Sequence, residues 1–262
     1  MDIDFHTHGK LAKKLPFSGV YTDWLLKEAK NAGLDAICLT EHFNTLQFER
    51  LYEYIQSRCQ RDQDTLITRE GLRIFAGMET DIAETGHILC LGNPEEILEL
   101  NRRLEPYKEK GKFLDFFSLM KLFREYSVLV GAAHPFREGG KIPSLPVSEL
   151  KKLDFIDLNG KDVAIDSKGT QEKTYALGKV LGIPVVSGSD THQAVQYGCI
   201  RTRMNRDVNQ ISSLYEEMKA GNYTIAISEN ASFQVKTAGL LKKALKEIYA
   251  NGGDYISVLV QK

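Results

Sequence analysis

The amino-acid sequence predicts an α/β fold in which parallel strands alternate with crossover helices. Short apolar runs and amphipathic stretches follow one another along the 262 residues, which is the pattern of repeated β-α-β units. Gly33, Gly182 and Gly221 directly follow predicted helices, where glycine favours a left-handed cap. No G-x-G-x-x-G follows the first strand, so a dinucleotide-binding fold is not supported. These patterns alone leave a closed barrel and an open sheet as alternatives.

The predicted elements are distributed over the whole chain. Apolar runs predict strands at residues 3–6, 35–40, 73–78, 87–91, 128–133, 155–158, 184–187, 199–202, 223–227 and 256–260. Amphipathic stretches predict helices at residues 22–31, 46–59, 95–104, 114–125, 171–181, 208–220 and 240–250. We expect a single domain over residues 1–262, in which residues 235–262 form a C-terminal helix-strand extension.

Composition and charge limit the class of protein. The net charge of -1 argues against a dedicated nucleic-acid binder, which usually carries a basic excess. No apolar run has the length of a membrane span, and the first residues do not resemble a signal peptide. Cys38, Cys90 and Cys199 lie in apolar, strand-like runs without a C-x-x-C pair. We therefore expect a cytoplasmic protein with free thiols and no membrane partner.

The histidines follow a positional pattern. Of the six, five lie at the end of a predicted strand or in the turn after it, whereas His87 begins its strand. In a parallel barrel, that end of the strands carries the active site. His6 and His8 form H-x-H, which on a strand presents both imidazoles on one face. Asp4 would share that face and fix the tautomer of a ligand histidine.

Two carboxylates complete the pattern. Glu79 follows the third predicted strand, and Asp190 lies in Gly-Ser-Asp-Thr-His after the seventh. Imidazole together with carboxylate suits Zn, Mn or Fe, and the absence of cysteine from these turns argues against a structural cysteine zinc site. A lone His134 or Asp190 is more typical of packing or capping. Their joint placement predicts a metal site.

The ordered motifs resemble those of the PHP (polymerase and histidinol phosphatase) family of metal-dependent phosphoesterases. The motifs are Asp4-Phe5-His6-Thr7-His8, Thr40-Glu41-His42, Gly77-Met78-Glu79, Gly86-His87, His134-Pro135 and Gly188-Ser189-Asp190-Thr191-His192. The resemblance implies a distorted (β/α)7 TIM-like barrel that holds two or three divalent metal ions.

The resemblance also implies a set of ligands. One metal would be held by His6, His8, Glu79 and Asp190, and Glu79 would bridge to a second. His87 and His134 would complete the second metal site, and His42 and His192 would belong to a third. Related chains usually carry another His or Asp soon after the first motif, whereas residues 9–14 here read GKLAKK. Because ammonium groups cannot ligate, the third site stays open, and a lysine charge in its place is an alternative.

The expected chemistry is hydrolysis of a phosphate ester, most simply a monoester, by a metal-activated water. Glu79, Asp190 and His192 are the expected catalytic residues, and His192 or His42 would be the general acid if free of metal. Basic side chains expected to bind the phosphate are Arg137, Lys161 and Arg201. The expected partner is a small phosphorylated substrate, without a stable nucleic-acid complex. The oligomeric state stays open.

Two other functions compete with this interpretation. An amidohydrolase also begins with H-x-H after its first barrel strand, but usually has its bridging residue on the fourth strand. A non-catalytic, metal-stabilised regulatory domain is the second alternative, although so many ionisable side chains in one cluster are costly to keep without chemistry.

Overall fold

The computed structural model describes residues 1–260, and its strands form one sheet that curls into a nearly closed barrel. The strands are β1 Asp2–Thr7, β2 Ala36–His42, β3 Gln60–Asp62, β4 Thr65–Ile67, β5 Arg73–Ile82, β6 Gly86–Gly92, β7 Leu129–Ala133, β8 Phe155–Asn159, β9 Val185–Gly188, β10 Ile200–Met204 and β11 Tyr223–Ile227. The helices are α1 Gly19–Asn31, α2 Phe48–Arg58, α3 Pro94–Arg103, α4 Phe116–Phe123, α5 Val147–Leu150, α6 Gly160–Ile165, α7 Ser167–Leu181, α8 Ile211–Lys219 and α9 Ala231–Ala250.

The barrel is built from β1, β2, β5, β6, β7, β8 and β9 in that order. It closes where the chain after β9 meets β1. Thr7 forms a parallel bridge with Thr191, and the Asp190 N–H donates to the His6 carbonyl at 2.7 Å. The predicted (β/α)7 TIM-like barrel is therefore confirmed, and the open sheet is excluded. Outside the barrel, β10 and β11 extend the sheet from β1 in antiparallel pairs.

Two apolar clusters hold the barrel together. The interior is filled by alternate strand residues, among them Phe5, Phe75 and Phe155, all fully buried. The residues between them, such as Ile37 and Ile74, pack outward in the larger cluster that includes the helices. This alternation explains why the strands are apolar throughout, since both faces are buried.

One barrel strand runs against the prediction. Parallel strands were expected throughout, but β6 pairs antiparallel with both β5 and β7. Only Ala83, Glu84 and Thr85 separate β5 from β6, and a connection of this length cannot cross over a barrel to start a parallel strand. The reversed direction places the beginning of β6, and with it His87, at the end of the barrel where β5 finishes.

The C-terminal extension is only partly as predicted. Helix α9 begins at Ala231, well before residue 240, and Ala231, Ala238 and Leu245 are its buried residues. The strand predicted at residues 256–260 is wrong, because these residues form turns. The N–H groups of Leu259 and Val260 donate to the Ile256 carbonyl, so local bonds satisfy them. Residues 261–262 of the expected extension lie outside the described residues, and the domain limits stay a prediction.

Further differences are small. The hairpin of β3 and β4, together with the short helices α5 and α6, was not predicted, and the other predicted elements are present with shifted ends. Cys38, Cys90 and Cys199 are buried free thiols, as expected. None of the helices within residues 1–260 combines the length and the apolar character that crossing a bilayer demands.

Candidate metal centre

All six histidines gather with two carboxylates at one end of the barrel. His6, His42 and Glu79 lie on β1, β2 and β5, and His87 lies at the start of β6. The remaining members are in the segments after β1, β7 and β9: His8, His134, Asp190 and His192. All are buried except His87, whose side chain is 28% exposed. The structure thus brings together every residue predicted as a metal ligand.

Glu79 lies between two groups of imidazoles. Its Oε1 atom is 2.6 Å from Nδ1 of His87 and 3.0 Å from Nε2 of His134. Its Oε2 atom is 2.7 Å from Nδ1 of His42 and 3.6 Å from Nε2 of both His6 and His8. Each carboxylate oxygen therefore faces its own group of nitrogen atoms, which is the arrangement expected of a carboxylate that bridges two cations.

A third group lies beside the first. The ligand nitrogens of His8, His42 and His192 lie within 4.8 Å of one another, and the His8 ring centroid is 4.4 Å from that of His42 and 4.0 Å from that of His192. Asp190 reaches the same cluster, since its Oδ1 is 3.2 Å from Nε2 of His8. His8 thus occupies the position between the first group and the third.

The backbone is strained at two of these positions. His134 has φ of 30° and Asp190 has φ of 58°, and left-handed values are uncommon outside glycine. Such strain persists only where the surrounding structure holds it, most often at functional sites. The two turns aim His134 and Asp190 back into the barrel mouth, where their ligand atoms lie within 4.8 Å of those of His6.

An irregularity in β1 corrects the role predicted for Asp4. The pairing of β1 with β2 shifts register between Asp4 and Thr7, and such a bulge re-aims the side chains that follow it. Asp4 therefore does not contact the ring of His6. Its Oδ1 instead accepts the backbone N–H groups of His6 at 3.1 Å and Ser189 at 2.8 Å.

Asp157 holds the ring of His6 instead. Its Oδ2 is 2.9 Å from Nδ1 of His6, and it also accepts a hydrogen bond from Nδ2 of Asn159 at 2.9 Å. The side chains of His6 and Asp157 are both fully buried. A carboxylate on one ring nitrogen fixes the tautomer, which leaves Nε2 of His6 free to ligate.

Replacing Asp157 with alanine is expected to weaken metal binding by roughly 10- to 100-fold, as is typical when the partner of a ligand histidine is removed. The measurement is the metal Kd by competition with a chelator of known affinity. Asp154→Ala is a suitable control, since Asp154 lies on the segment before β8 and accepts from the Val130 N–H, away from the histidines. Equal metal Kd values for wild type and Asp157→Ala would contradict this role.

The donor atoms fit a bound cation. Among residues 1–260, buried ligand atoms in this cluster lack a hydrogen-bond partner, and each such atom costs roughly 1–3 kcal/mol when left unsatisfied. These atoms are Nε2 of His6, Nδ1 and Nε2 of His8, Nδ1 of His42 and Oε2 of Glu79. Because these atoms converge from different strands, bound divalent ions would satisfy one nitrogen of each ring and the Glu79 oxygen, and the mixture of nitrogen and carboxylate donors fits such ions.

The imidazoles differ in protonation. Burial lowers the pKa of His42 to about 4 despite the Glu79 carboxylate, and burial likewise lowers the pKa of His192 well below its usual value. Both rings are therefore neutral at pH 7, which is the form that ligates. Burial also opposes a charge on His87, but Glu79 and Asp81 outweigh it and raise its pKa to about 10.

Metal binding is therefore expected to release protons. In the apoprotein His87 carries a proton at pH 7, because its pKa of about 10 lies above that pH, and a cation must displace this proton to bind. The apparent affinity should rise with pH, by about tenfold per unit for each proton displaced. Titration calorimetry at pH 7 in buffers of different ionisation enthalpy counts the protons. Metal uptake with no proton release would contradict the expectation.

The basic residues predicted to bind phosphate separate into two places. Arg137 donates to Asp190 at 2.8 Å and to Asp162 at 3.0 Å, and Lys161 Nζ is 2.9 Å from Asp190. Both therefore lie at the centre. Arg201 does not, because it pairs with Asp2 at 3.2 Å. Its strand β10 is antiparallel to β1, so the side chain lies at the opposite end of the barrel and the prediction for Arg201 is wrong.

Lysines do occupy the stretch where another ligand was expected. Lys10 is buried and donates to Thr45 Oγ1 at 3.1 Å and to the Leu46 carbonyl. Lys13 is 3.1 Å from Asp81, whose other oxygen is 3.0 Å from Nε2 of His87. Asp81 thus links the ammonium group of Lys13 to His87 of the histidine cluster.

Some residues at the centre were missed from the sequence. Asp157 was detectable, since it is a charged residue inside the apolar run predicted as a strand at residues 155–158, and buried charges need a partner. Glu41 lies on β2 inside the quoted motif Thr40-Glu41-His42, and its Oε1 is 3.7 Å from Nδ1 of His8. Lys242 carries no sequence signal, because only the packing of α9 places it here. Burial and the nearby Lys161 lower the pKa of Lys242 to about 8.

The chain is similar to known proteins in part of its sequence and in its fold. Residues 4–130 match the family model of the PHP domain. The fold is similar to that of PsfC from Pseudomonas syringae, with a TM-score of 0.75 and 21% identity over 93% of this chain and 98% of that chain. No curated protein sequence matches the chain.

The fold is also similar to that of an endonuclease. The lesion-specific endonuclease Q of Pyrococcus furiosus has a TM-score of 0.62 and 18% identity, over 86% of this chain and 57% of that one. A structure of endonuclease Q with a 27-mer duplex that carries an abasic lesion at the active site has the same TM-score of 0.62 and 18% identity, over 84% of this chain and 56% of that one. This chain thus spans little more than half of the endonuclease.

The endonuclease complex corrects one expectation. A small phosphorylated substrate without a stable nucleic-acid complex was expected, partly because the net charge is -1. Endonuclease Q, which shares this fold over 56% of its chain, binds a 27-mer duplex substrate with an abasic lesion at its active site. The restriction to a small phosphorylated partner is therefore wrong, because net charge says little about a local binding surface.

Proposed function

We propose, from the premise that this chain belongs to the PHP domain family through residues 4–130, that it hydrolyses phosphate ester bonds with bound divalent metal ions. One observation carries the proposal. The two oxygens of Glu79 face separate groups of imidazole nitrogens. One group is His87 and His134, and the other is His6, His8 and His42.

The proposed ligands follow these groups. His6, His8, Glu79 and Asp190 would hold one ion, and Glu79 would share a second ion with His87 and His134. His42 and His192, together with His8, offer a third position. Ions bound in this way lower the pKa of a coordinated water and offset the negative charge of a phosphate.

The protein's own charges support binding of an anion at this position. Arg137 and Lys161 both contact Asp190, so two cationic side chains stand beside the ligand group. Arginine binds phosphate oxygens in a bidentate way, and lysine binds them as a point charge. Both side chains are therefore proposed to stabilise the charge that collects on the phosphate during the reaction.

The protonation of two histidines bears on their role. His192 and His42 were considered as general acids, but burial lowers the pKa of both. A neutral imidazole is a poor general acid, because giving its remaining N–H proton to a leaving group would form an imidazolate. The lowered pKa values therefore support a ligand role for both residues, with a water as the proton donor to the leaving alkoxide.

A second candidate concerns the ester itself. The sequence predicted hydrolysis of a phosphate monoester, and the same chemistry can hydrolyse a phosphate diester. The fold likeness to endonuclease Q favours including a nucleic-acid diester among the candidates. The two alternatives to phosphoester hydrolysis are an amidohydrolase and a non-catalytic metal-stabilised domain.

A panel of substrates with the metal-reconstituted protein tests the proposal. The panel contains p-nitrophenyl phosphate, bis-p-nitrophenyl phosphate, an oligonucleotide duplex with an abasic site and an N-acyl amide, each with Zn, Mn or Fe. We expect metal-dependent turnover of at least one phosphate ester and none of the amide. Turnover of the amide alone would favour the amidohydrolase, and metal binding without any turnover would favour the non-catalytic domain.

A further inference from the structure

Helix α1 contacts two of the segments that carry the clustered histidines. The Tyr21 hydroxyl donates a hydrogen bond to the His192 carbonyl at 2.6 Å. The neighbouring Thr22 donates through Oγ1 to the Gly9 carbonyl at 3.0 Å, and Gly9 directly follows His8. His8 and His192 are two of the three imidazoles in the third group. The start of α1 therefore holds the backbone at, or next to, two residues of that group.

The bond from Tyr21 to His192 is shielded and fixed in direction. Tyr21 and Gln193 are both buried, and Nε2 of Gln193 donates to the Tyr21 oxygen at 2.7 Å. The ring of Tyr255 packs edge-on against the ring of Tyr21, with centroids 5.9 Å apart. Because the hydroxyl both accepts and donates, and its ring is packed, its orientation is set. The His192 carbonyl thus has a rigid partner.

The ring of His192 is held loosely by its own neighbours. Its Nδ1 is 3.4 Å from the Asp190 carbonyl and 3.7 Å from Oδ1 of Asp190, and both distances exceed those of a typical hydrogen bond. The ring of His6, by contrast, has the Asp157 carboxylate at 2.9 Å. The position of the His192 imidazole therefore depends on where its backbone is fixed.

We propose that Tyr21 is a positioning residue for the third metal position, where His8, His42 and His192 meet. Its hydroxyl fixes the backbone of His192 and so keeps the imidazole within reach of an ion shared with the other two rings. The inference rests on the metal centre of the proposed function, although it requires no hydrolysis.

The effect of Tyr21 should be confined to one ion. His192 does not belong to either ligand group that contains Glu79. Asp190, two residues before His192, is held separately, because its N–H donates to the His6 carbonyl at 2.7 Å. Loss of the Tyr21 hydroxyl is therefore expected to weaken the third ion and to leave the two ions on Glu79 in place.

Titration of the apoprotein with Co²⁺ tests the proposal, by calorimetry and by the visible absorption that reports the ligand geometry of each ion. Tyr21→Phe keeps the packed ring and removes the hydroxyl. We expect three ions in the wild type. In Tyr21→Phe the third ion should bind roughly tenfold more weakly, the lower end of the range when an outer contact of a ligand histidine is lost. Its absorption band should change, whereas the bands of the first two ions should not.

Tyr223→Phe is the matched control, because the Tyr223 hydroxyl donates to the Val185 carbonyl at 2.7 Å, at the start of β9 and away from the histidines. Both variants lose a hydroxyl bond to a backbone carbonyl, so a lower thermal midpoint is expected in both. Weakening of the third ion is expected only in Tyr21→Phe. If that variant does not fold, Thr22→Val, which keeps the side-chain shape and removes the bond to Gly9, should weaken the third ion in its place.

Several outcomes would overturn the proposal. They are a wild-type protein that binds only two ions, an unchanged third ion in Tyr21→Phe, and equal weakening of all three ions in that variant. If Tyr21→Phe does not fold, an unchanged third ion in Thr22→Val overturns it as well.

The titration contains no substrate, so the two proposals fail separately. Selective loss of the third ion in Tyr21→Phe supports the positioning role even if the wild type hydrolyses no phosphate ester, in which case the proposed function fails. Metal-dependent hydrolysis by the wild type, together with an unchanged third ion in Tyr21→Phe, overturns the role of Tyr21 and leaves the proposed function standing.

Discussion

Replacing Glu79 with glutamine is expected to lower metal-dependent hydrolysis by roughly a thousandfold, since the loss of a bound metal ion removes several kcal/mol of charge stabilisation in the transition state. Glutamine keeps the shape of the side chain but removes the negative charge that faces His87 on one side and His6 on the other. The amide also presents donors where a cation has to bind. Metal content should therefore fall together with the rate.

Steady-state rates and elemental analysis of the same preparations check this prediction. Glu172→Gln serves as the control, because Glu172 is 67% exposed on α7 and its replacement removes the same charge. We expect the control to keep the wild-type rate and metal content. Undiminished rate and metal content in Glu79→Gln would remove Glu79 from the centre.

Replacing Gly188 with alanine is expected to destabilise the fold by about 3 kcal/mol, the upper range for a forced overpacking. A Cβ at Gly188 would lie 2.2 Å from Cβ and 2.6 Å from the backbone N of His6. Neither atom belongs to the flexible end of a side chain, so the contact is relieved only if β9 moves away from β1. That movement opens the seam of the barrel and displaces His6 and Asp190 together.

Urea denaturation gives the free energy of unfolding for Gly188→Ala, and metal titration gives its affinity. Gly239→Ala is the matched control, since nothing lies within 4 Å of a Cβ added there and alanine is the better helix former by about 1 kcal/mol. The control should be as stable as wild type or slightly more so. A Gly188→Ala protein of wild-type stability and metal affinity would show that the seam tolerates a methyl group.

Much of the centre was predictable because its information is local. His6, His42 and Glu79 each end an apolar run, and the carboxyl ends of barrel strands meet at one mouth. The sequence also placed His87 at the beginning of its strand, but it did not show that this strand runs in the reverse direction. The eight residues between the strands predicted at 73–78 and 87–91 are too few for a parallel crossover, so the length of this gap would have indicated the reversed strand.

Other features depend on contacts that no local pattern carries. Asp4 and His6 share parity in the sequence, but the bulge in β1 separates them, so Asp157 takes the place expected for Asp4. Arg201 was placed at the wrong end because the direction of β10 was unknown. Lys242 reaches the centre only through the docking of α9, which is a long-range packing event.

A crystal structure of the protein soaked with Mn²⁺, with anomalous diffraction data, tests the central claim most directly. We expect two anomalous peaks about 3.5–4 Å apart, one on each side of the Glu79 carboxylate, with His6 and His8 on one peak and His87 and His134 on the other. Peaks remote from Glu79, or a single ion that Glu79 does not touch, would contradict the account.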